Sequence, residues 1–373
     1  MHYILAMMIA AVLYVLQKSY YKKHWQECLY VKISYSKTHA RIGDMMTITE
    51  QVNNEKRLPI SVLYVKFSTS RSFLFEDMHN ASVSDRYHRN DIFSVAGQQQ
   101  ITRTLQFQVT KRGYYAIEQL DLIAHDLFMS ASFASRQANH AALYVYPALL
   151  TDNRSFSLTN SILGDMIQTN LYEDPLSFRG IREYMNGDSM RCMNWKATAK
   201  TNELMVNTYF DIQNTQVVIL FNLKTNEHQR NDNLHEYMIS VVATLLDQMT
   251  NKDFAMKLAI NTRDILTGKT IITDLGKGQE HYKVLLEILA RLDLSEPTTC
   301  FEDFFNDTYA IFEKSNKNIS YIVVSNDRKE TLLIEFYNKK NEGYQIHFLC
   351  PEYISSCLPM KDIQYWEVAS DEK

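Results

Sequence analysis

The sequence predicts a multidomain α+β protein: an N-terminal membrane helix, an antiparallel β-sandwich, and then a doubly wound α/β domain. Three observations predict it. Tyr3 to Leu16 carries no charge, Leu29 to Tyr146 is a series of β-branched and aromatic runs parted by turn residues, and beyond Gln216 continuous apolar runs alternate with amphipathic stretches. The boundaries fall at 1–24 for the helix, 25–150 for the sandwich, 151–214 for a connector with a turn–helix–strand segment, and 215–373 for the α/β domain.

The uncharged run at the N-terminus is short of the ~20 residues that a bilayer requires. Counting from Met1, with Lys18 snorkelling past Tyr20 and Tyr21, brings it to spanning length. A cleaved signal peptide is the alternative, but it would need a basic n-region and a small-x-small site, and neither precedes Lys18. Lys18, Lys22 and Lys23 flank the C-terminal side, so the positive-inside rule places the soluble part in the cytoplasm. The expectation is a single-pass protein of the cell membrane.

The sandwich strands are expected at Leu29 to Tyr35, Met45 to Val52, Ile60 to Ser68, Ile101 to Val109, Tyr114 to Ile123 and Leu143 to Tyr146. Gly43-Asp44, Asn53-Asn54, Gly97 and Gly113 supply the turns. Six or more short strands without a helix suggest an immunoglobulin-like sandwich, although no Cys…Trp…Cys core is present. Its polar residues are spread along the strands, which suits binding or spacing rather than catalysis. Leu149 to Asp174 is rich in Ser, Thr, Asn and Asp and reads as a connector, with a short helix near Ile162.

In the last region Gln216 to Phe221, Ala255 to Ile260, Asn318 to Ser325 and Tyr344 to Leu349 read as strands, with a short one at Ile271-Ile272. Asn231 to Met249, Tyr282 to Leu292 and Glu330 to Lys340 read as helices. Ligands in such folds bind beyond the C-terminal ends of the strands, so the loop Asn222 to Glu227 is the one to inspect. A von Willebrand factor type A domain, also α/β, places D-x-S-x-S there, because a carboxylate and two hydroxyls chelate a hard cation. This chain has Asn222, Lys224 and Asn226. Two amides are weak ligands and an ammonium repels the ion, so no metal is expected.

Composition narrows the classes further. A net charge of −4 and a pI near 6.3 argue against a dedicated nucleic-acid binder. Ten glycines in 373 residues is a poor endowment for cradling phosphates. Cys28, Cys192, Cys300, Cys350 and Cys357 are odd in number and contain no C-x-x-C pair, as for reduced thiols in a cytosolic setting. Gly268-Lys269-Thr270 mimics the end of a P-loop, but the first glycine would fall on Arg263. No G-x-S-x-G, H-E-x-x-H or G-x-G-x-x-G occurs, and the eleven histidines are scattered. No cofactor and no catalytic residue is expected.

One stretch stands out, Phe178 to Phe210. Asn186-Gly187 is a turn signal, and Asp188 or Ser189 sits where a helix N-cap belongs. Met190, Met193 and Ala197 follow as one buried helical face, Thr201-Asn202 ends the helix, and Glu203 to Phe210 is a strand. Two readings of the charged residues stay open. Arg179, Arg182, Arg191 and Lys196 can form an anion- or partner-binding patch, since guanidinium forks grip phosphates and carboxylates bidentately. Alternatively Asp188 caps the helix and pairs with an arginine, while Trp195 packs into the joint between the domains.

The order Arg179, Arg182, Tyr184, Gly187-Asp188, Arg191, Asn194-Trp195-Lys196, Ala199 and Leu204 resembles the signature of the domain of unknown function 58 family. Weaker similarities lie at Gly43-Asp44, Asn53, Arg112-Gly113-Tyr114, Asp126-Leu127-Phe128 and Val145-Tyr146-Pro147. The resemblance implies a bacterial membrane-anchored protein with a β-sandwich, the signature and a von Willebrand A-like domain. It also implies association with a MoxR-type AAA+ ATPase and no established enzymatic activity. The chain departs from the family in showing one N-terminal membrane helix where a pair is common, and in Asn222, Lys224 and Asn226 where many members keep Asp and hydroxyls. The expected function is a non-catalytic, membrane-tethered adaptor acting with that ATPase in assembly or maturation of envelope or membrane complexes. The alternatives are a metal-dependent adhesion or ligand-binding protein with a degenerate metal site, and an enzyme on anionic substrates that would lack a general base.

Overall fold

The structure, a computed structural model, describes residues 2–76, 81–151, 159–164, 166, 171–186, 188–213, 216–224, 232–295, 300–301, 304, 319–326, 330–342, 345–352 and 363–367. The chain divides into two compact units, Met1–Ala148 with Leu289–Arg291, and Leu149–Ile288 with Leu292–Lys373.

The first unit begins with helix α1, His2–His24, which contains no Gly or Pro and ends on Lys22, Lys23 and His24, cations suited to a helix C-terminus. Its large apolar side chains from Tyr3 to Leu16 are exposed, and the helix is long and apolar enough to cross a membrane. Tyr21 and Trp25 instead turn into the sandwich, where the Tyr21 hydroxyl donates to the Pro59 carbonyl at 2.7 Å.

Ten strands follow: β1 Leu29–Tyr35, β2 His39–Arg41, β3 Met45–Asn54, β4 Ile60–Thr69, β5 Phe73–Phe75, β6 Ala81–Val83, β7 Tyr87–Val95, β8 Gln99–Val109, β9 Gly113–His125 and β10 Ser132–Tyr146. They form a four-stranded sheet, β1-β3-β8-β5, and a six-stranded sheet, β2-β10-β9-β4-β7-β6. Alternate residues point between the sheets, as period-two runs must. Ile48, Val52 and Phe107 come from one sheet and Leu63, Val65 and Leu122 from the other, all fully or almost fully buried. The pairing is not wholly antiparallel, because β10 also pairs in parallel with β2. The three residues of β2 are too short a run to be read as a strand without that partner.

One inward position of the core is an acidic residue. Glu50 on β3 is fully buried, and neither of its carboxyl oxygens meets a hydrogen-bond donor. It faces Asp91, whose carboxylate is already gripped by Arg89 (Nε to Oδ2, 2.9 Å) and Arg103 (Nη1 to Oδ1, 3.0 Å). The two guanidinium groups lie over the rings of Phe75 and Phe93, at 5.6 and 4.5 Å. Burial, and then the neighbouring Asp91 carboxylate, favour a protonated Glu50, which can donate to Asp91.

In the second unit the connector is more ordered than its composition implies. Residues 159–164 are helical, and β11, Leu171–Glu183, pairs antiparallel with β12, Met205–Gln213. Its ladder skips from Glu173 to Phe178 across Pro175, which has no N–H to contribute. Then come β13 Gln216–Phe221, α3 Asp232–Asn251, β14 Ala255–Arg263, β15 Thr270–Ile272, α4 Gly278–Ala290, β16 Ile319–Val324, α5 Glu330–Asn341, β17 Gln345–Glu352 and β18 Ile363–Glu367; the helix Trp195–Thr201, described below, precedes them. The sheet order is β15-β14-β13-β16-β17-β18, parallel except for the antiparallel edge strand β15. β16 is buried along its whole length and β13 from Val217 onward, which accounts for their long apolar runs. The last strand, β18, was not foreseen.

Candidate functional site

The signature is built on the β11–β12 pair. Arg182, near the end of β11, makes a bidentate pair with Asp188, Nη1 to Oδ2 and Nη2 to Oδ1, both 2.7 Å. Asp188 Oδ2 also accepts from the Met185 N–H at 2.8 Å, while the Asp188 N–H donates to the Met185 carbonyl at 3.0 Å. The carboxylate thus closes the turn after β11, in the way short acidic side chains do. The Arg182 hydrogen bond, then that from Met185, holds the Asp188 carboxyl below the usual carboxylate range. A depressed folded-state pKa contributes stability above the unfolded value and loses it as pH falls through the folded one. Arg182→Ala is therefore expected to raise the Asp188 pKa, as read by carboxyl NMR titration. An unchanged titration would remove the pair from the account.

The helix of this segment differs from the expectation. Met190–Cys192 is a single 3₁₀ turn, with Ser189 Oγ accepting from the Arg191 N–H. Met193 then drops out of helical geometry to form an isolated bridge with Val206. The helix proper is Trp195–Thr201 (α2 of the chain order, preceding α3), and its N-cap is Asn194 rather than Asp188 or Ser189. Asn194 Oδ1 accepts from the Ala197 N–H at 2.9 Å and its Nδ2 donates to Asn207 on β12 at 2.7 Å. Asn202, in the left-handed region at φ +59°, ends the helix. The methionine spacing mimicked a buried helical face, but Met190 is exposed and only Met193 is buried.

The predicted residues therefore separate. Arg182 and Asp188 meet; Tyr184 is half-buried and its N–H donates to the Leu204 carbonyl at 2.8 Å. Arg191, Trp195 and Lys196 are exposed, the indole to 64%. Arg179 lies on β11 with its side chain outside the described residues, and Gly187 lies outside them altogether. No residue of α2 is buried. Ile181, Met185, Met190 and Leu204 are exposed as well, so the segment from 181 to 204 exposes five large apolar side chains and four cationic ones, Arg182, Arg191, Lys196 and Lys200. Scattered exposed apolar residues are ordinary, and these five fall within one short stretch of the chain. The exposed methionines were hidden from the sequence reading by their helical spacing; Asn194, followed by a run of good helix formers, was a legible cap.

A second cluster of polar side chains lies at the C-terminal end of β13. Asn222 is fully buried, and its Nδ2 donates to Ser325 Oγ at 2.9 Å. Its Oδ1 accepts from Asn261 Nδ2 at 2.8 Å and from the Lys224 N–H at 2.9 Å. Asn261 Oδ1 in turn accepts from the Leu223 N–H at 2.8 Å. Asn222 and Ser325 follow β13 and β16, between which the strand order reverses, and Asn261 lies near the end of β14, so the crevice of the sheet is closed by side chains bonded to one another. Lys224 Nζ lies 3.9 Å from Cys300 Sγ, and Asn226 lies outside the described residues. Neutral amides already engaged, with an ammonium nearby, do not suit a divalent cation. Among the described residues no group of three His, Cys, Asp or Glu side chains converges.

The model of a family described as "Protein of unknown function DUF58" matches residues 180–332. The match covers the signature from Gly180 onward and most of the parallel sheet, and it is the family that the signature resembles. No curated protein matches. Among solved structures the chain is similar to a non-cellulosomal cohesin from Archaeoglobus fulgidus, at 12% identity and TM-score 0.22, covering 31% of this chain and 90% of that one. A type II cohesin domain from the cellulosome of Acetivibrio cellulolyticus is 10% identical, with TM-score 0.24, 31% of this chain and 94% of that one. A ScaB type I cohesin from Pseudobacteroides cellulosolvens is 11% identical, with TM-score 0.20, 33% of this chain and 97% of that one. At these scores the architecture rests on the strand pairing described above.

Proposed function

We propose that the protein is a non-catalytic, membrane-tethered adaptor whose signature surface docks a MoxR-type AAA+ ATPase, in assembly or maturation of envelope or membrane complexes. The observation that carries this reading is the exposed set of Trp195, Met185, Met190, Arg191 and Lys196 on a helix and turns with little buried surface of their own. Aromatic, methionine and arginine side chains are the types enriched at protein interfaces. The ATPase itself is taken from the family resemblance. In this reading α1 anchors the chain as a single pass, its basic end holds the soluble part on the cytoplasmic side, and the α/β sheet is a von Willebrand A-like module without its metal.

The test is a pull-down from gently solubilised native membranes, with and without ATP, comparing wild type with Arg191→Ala and with Trp195→Ala. Both positions are exposed, so circular dichroism should show each variant folded. Enrichment of an AAA+ ATPase with wild type and its loss with either variant is expected. An ATPase retained equally by both variants would take the docking role away from the signature.

A further inference from the structure

The sandwich carries a turn with three exposed apolar residues at its tip. β9 and β10 are joined through Asp126, which is fully buried and accepts from the Ser130 N–H at 2.6 Å, the Ser130 hydroxyl at 2.7 Å and the Ala131 N–H at 3.0 Å. The Met129 N–H donates to the Asp126 carbonyl at 3.0 Å, with Met129 itself in the left-handed region at φ +54°. The turn is thus braced from within by a carboxylate. What it holds out is Leu127, Phe128 and Met129, three consecutive large apolar side chains, of which Phe128 is 66% exposed. Nothing in the brace requires these residues to be apolar, and turns in water favour polar ones.

The neighbour of this turn is α1. The Phe128 ring lies 6.2 Å from the ring of Tyr14, and Lys18, one turn further along, faces Asp126 electrostatically. The length of α1 then sets a depth. A hydrocarbon core of about 30 Å needs about 20 helical residues. Tyr21 is already buried against the sandwich. The stretch from Tyr3 to Tyr20 supplies roughly 27 Å at 1.5 Å per residue. The uncharged run ends at Lys18, so with α1 across the bilayer the membrane surface lies near Lys18 and Tyr20, and Tyr14 lies beyond it on the lipid side. Phe128 is beside Tyr14.

We propose that the Leu127–Phe128–Met129 turn inserts into the bilayer leaflet next to the C-terminal end of α1, giving the sandwich a second, non-spanning membrane contact. Lys18, Lys22 and Lys23 at the same end supply charge for anionic headgroups. Two contacts fix the sandwich's orientation to the membrane, which a single helix leaves free to rotate. The proposal rests on the reading of α1 as the membrane anchor.

The experiment uses the full chain reconstituted in vesicles of phosphatidylcholine and phosphatidylglycerol, with and without bromine on the acyl chains. Phe128→Trp and Tyr14→Trp each add a reporter to the native tryptophans, and the wild-type quench is subtracted. Bromolipid is expected to quench both added indoles several-fold more than an aqueous quencher of equal reach does. Quenching at Tyr14→Trp with none at Phe128→Trp overturns the turn's insertion while leaving the anchor standing, and points to a protein covering the turn instead. No quenching at either position fails the anchor reading and the proposal with it. Both substitutions replace one exposed aromatic by another, and circular dichroism checks each fold.

Discussion

Taking the full-length protein in detergent from about pH 5 to about pH 8.5 is expected to lower its stability, and Glu50→Gln is expected to abolish most of that loss. Burial pushes the Glu50 carboxyl up to about 9, with the charge of Asp91 and the hydrogen bond to it adding to the shift, against the opposing charges of Arg89 and Arg103. Below the unfolded value both states hold the proton, and its contribution is fully present. Between the unfolded value and about 9 only the folded state holds it, so folding takes up a proton and stability falls as pH rises. At about 1.4 kcal/mol per unit, the cost near neutrality is about 3 kcal/mol. A glutamine amide makes the same donation to Asp91 without the proton. The stability difference between wild type and variant, from thermal unfolding across this range, cancels every other titrating group. A difference that does not change with pH would mean that Glu50 is ionised in the folded protein.

Asn222→Ala is expected to cost about 3 kcal/mol, because it removes the partner of three buried groups at once. Asn261 Nδ2 and the Lys224 N–H lose their acceptor, and Ser325 Oγ loses a donor. Asn222→Asp keeps the shape and can accept from all three, with the Ser325 hydroxyl turned to donate, so it is expected to be milder. Chemical unfolding of the two variants beside wild type reads the order. Millimolar Mg²⁺ is expected to leave the wild-type midpoint unmoved, since the amide network has no ligand to spare. An alanine variant as stable as wild type would mean that the crevice is held by its apolar strands alone.

Much of this architecture was legible because buried parallel strands leave long apolar runs. Gln216–Phe221 and Ile319–Val324 read directly from their composition. Glu50 was legible in principle, since Met46, Ile48, Glu50 and Val52 alternate onto one face, but parity does not show that the opposite sheet brings Asp91 to meet it. β11 was hidden by Pro175 and a polar lead-in, and it exists because β12 pairs with it on both sides of the proline. β18 is five residues long and takes its identity from parallel pairing to β17. In the signature, periodicity misled: Met190, Met193 and Ala197 have helical spacing, yet the bridge from Met193 to Val206 breaks the helix between them. Tertiary pairing overrode the local pattern there, and it also turned the remaining apolar side chains outward.

The parallel pairing of β2 with β10 bears on how the protein is made. The sandwich's edge also needs β10, for Gln137 Nε2 donates to the Val31 carbonyl and Asn139 Oδ1 accepts from the Ile33 N–H. These partners are about a hundred residues apart, so the contacts have high sequence separation and form late. A ribosome must release Tyr146 before the first strands can be covered. Through that interval α1 is already synthesised, and the open edge of β1 is held wherever that helix has gone. The pace of translation past β10, more than the final stability of the sandwich, sets how long that edge is available for pairing with a neighbouring chain.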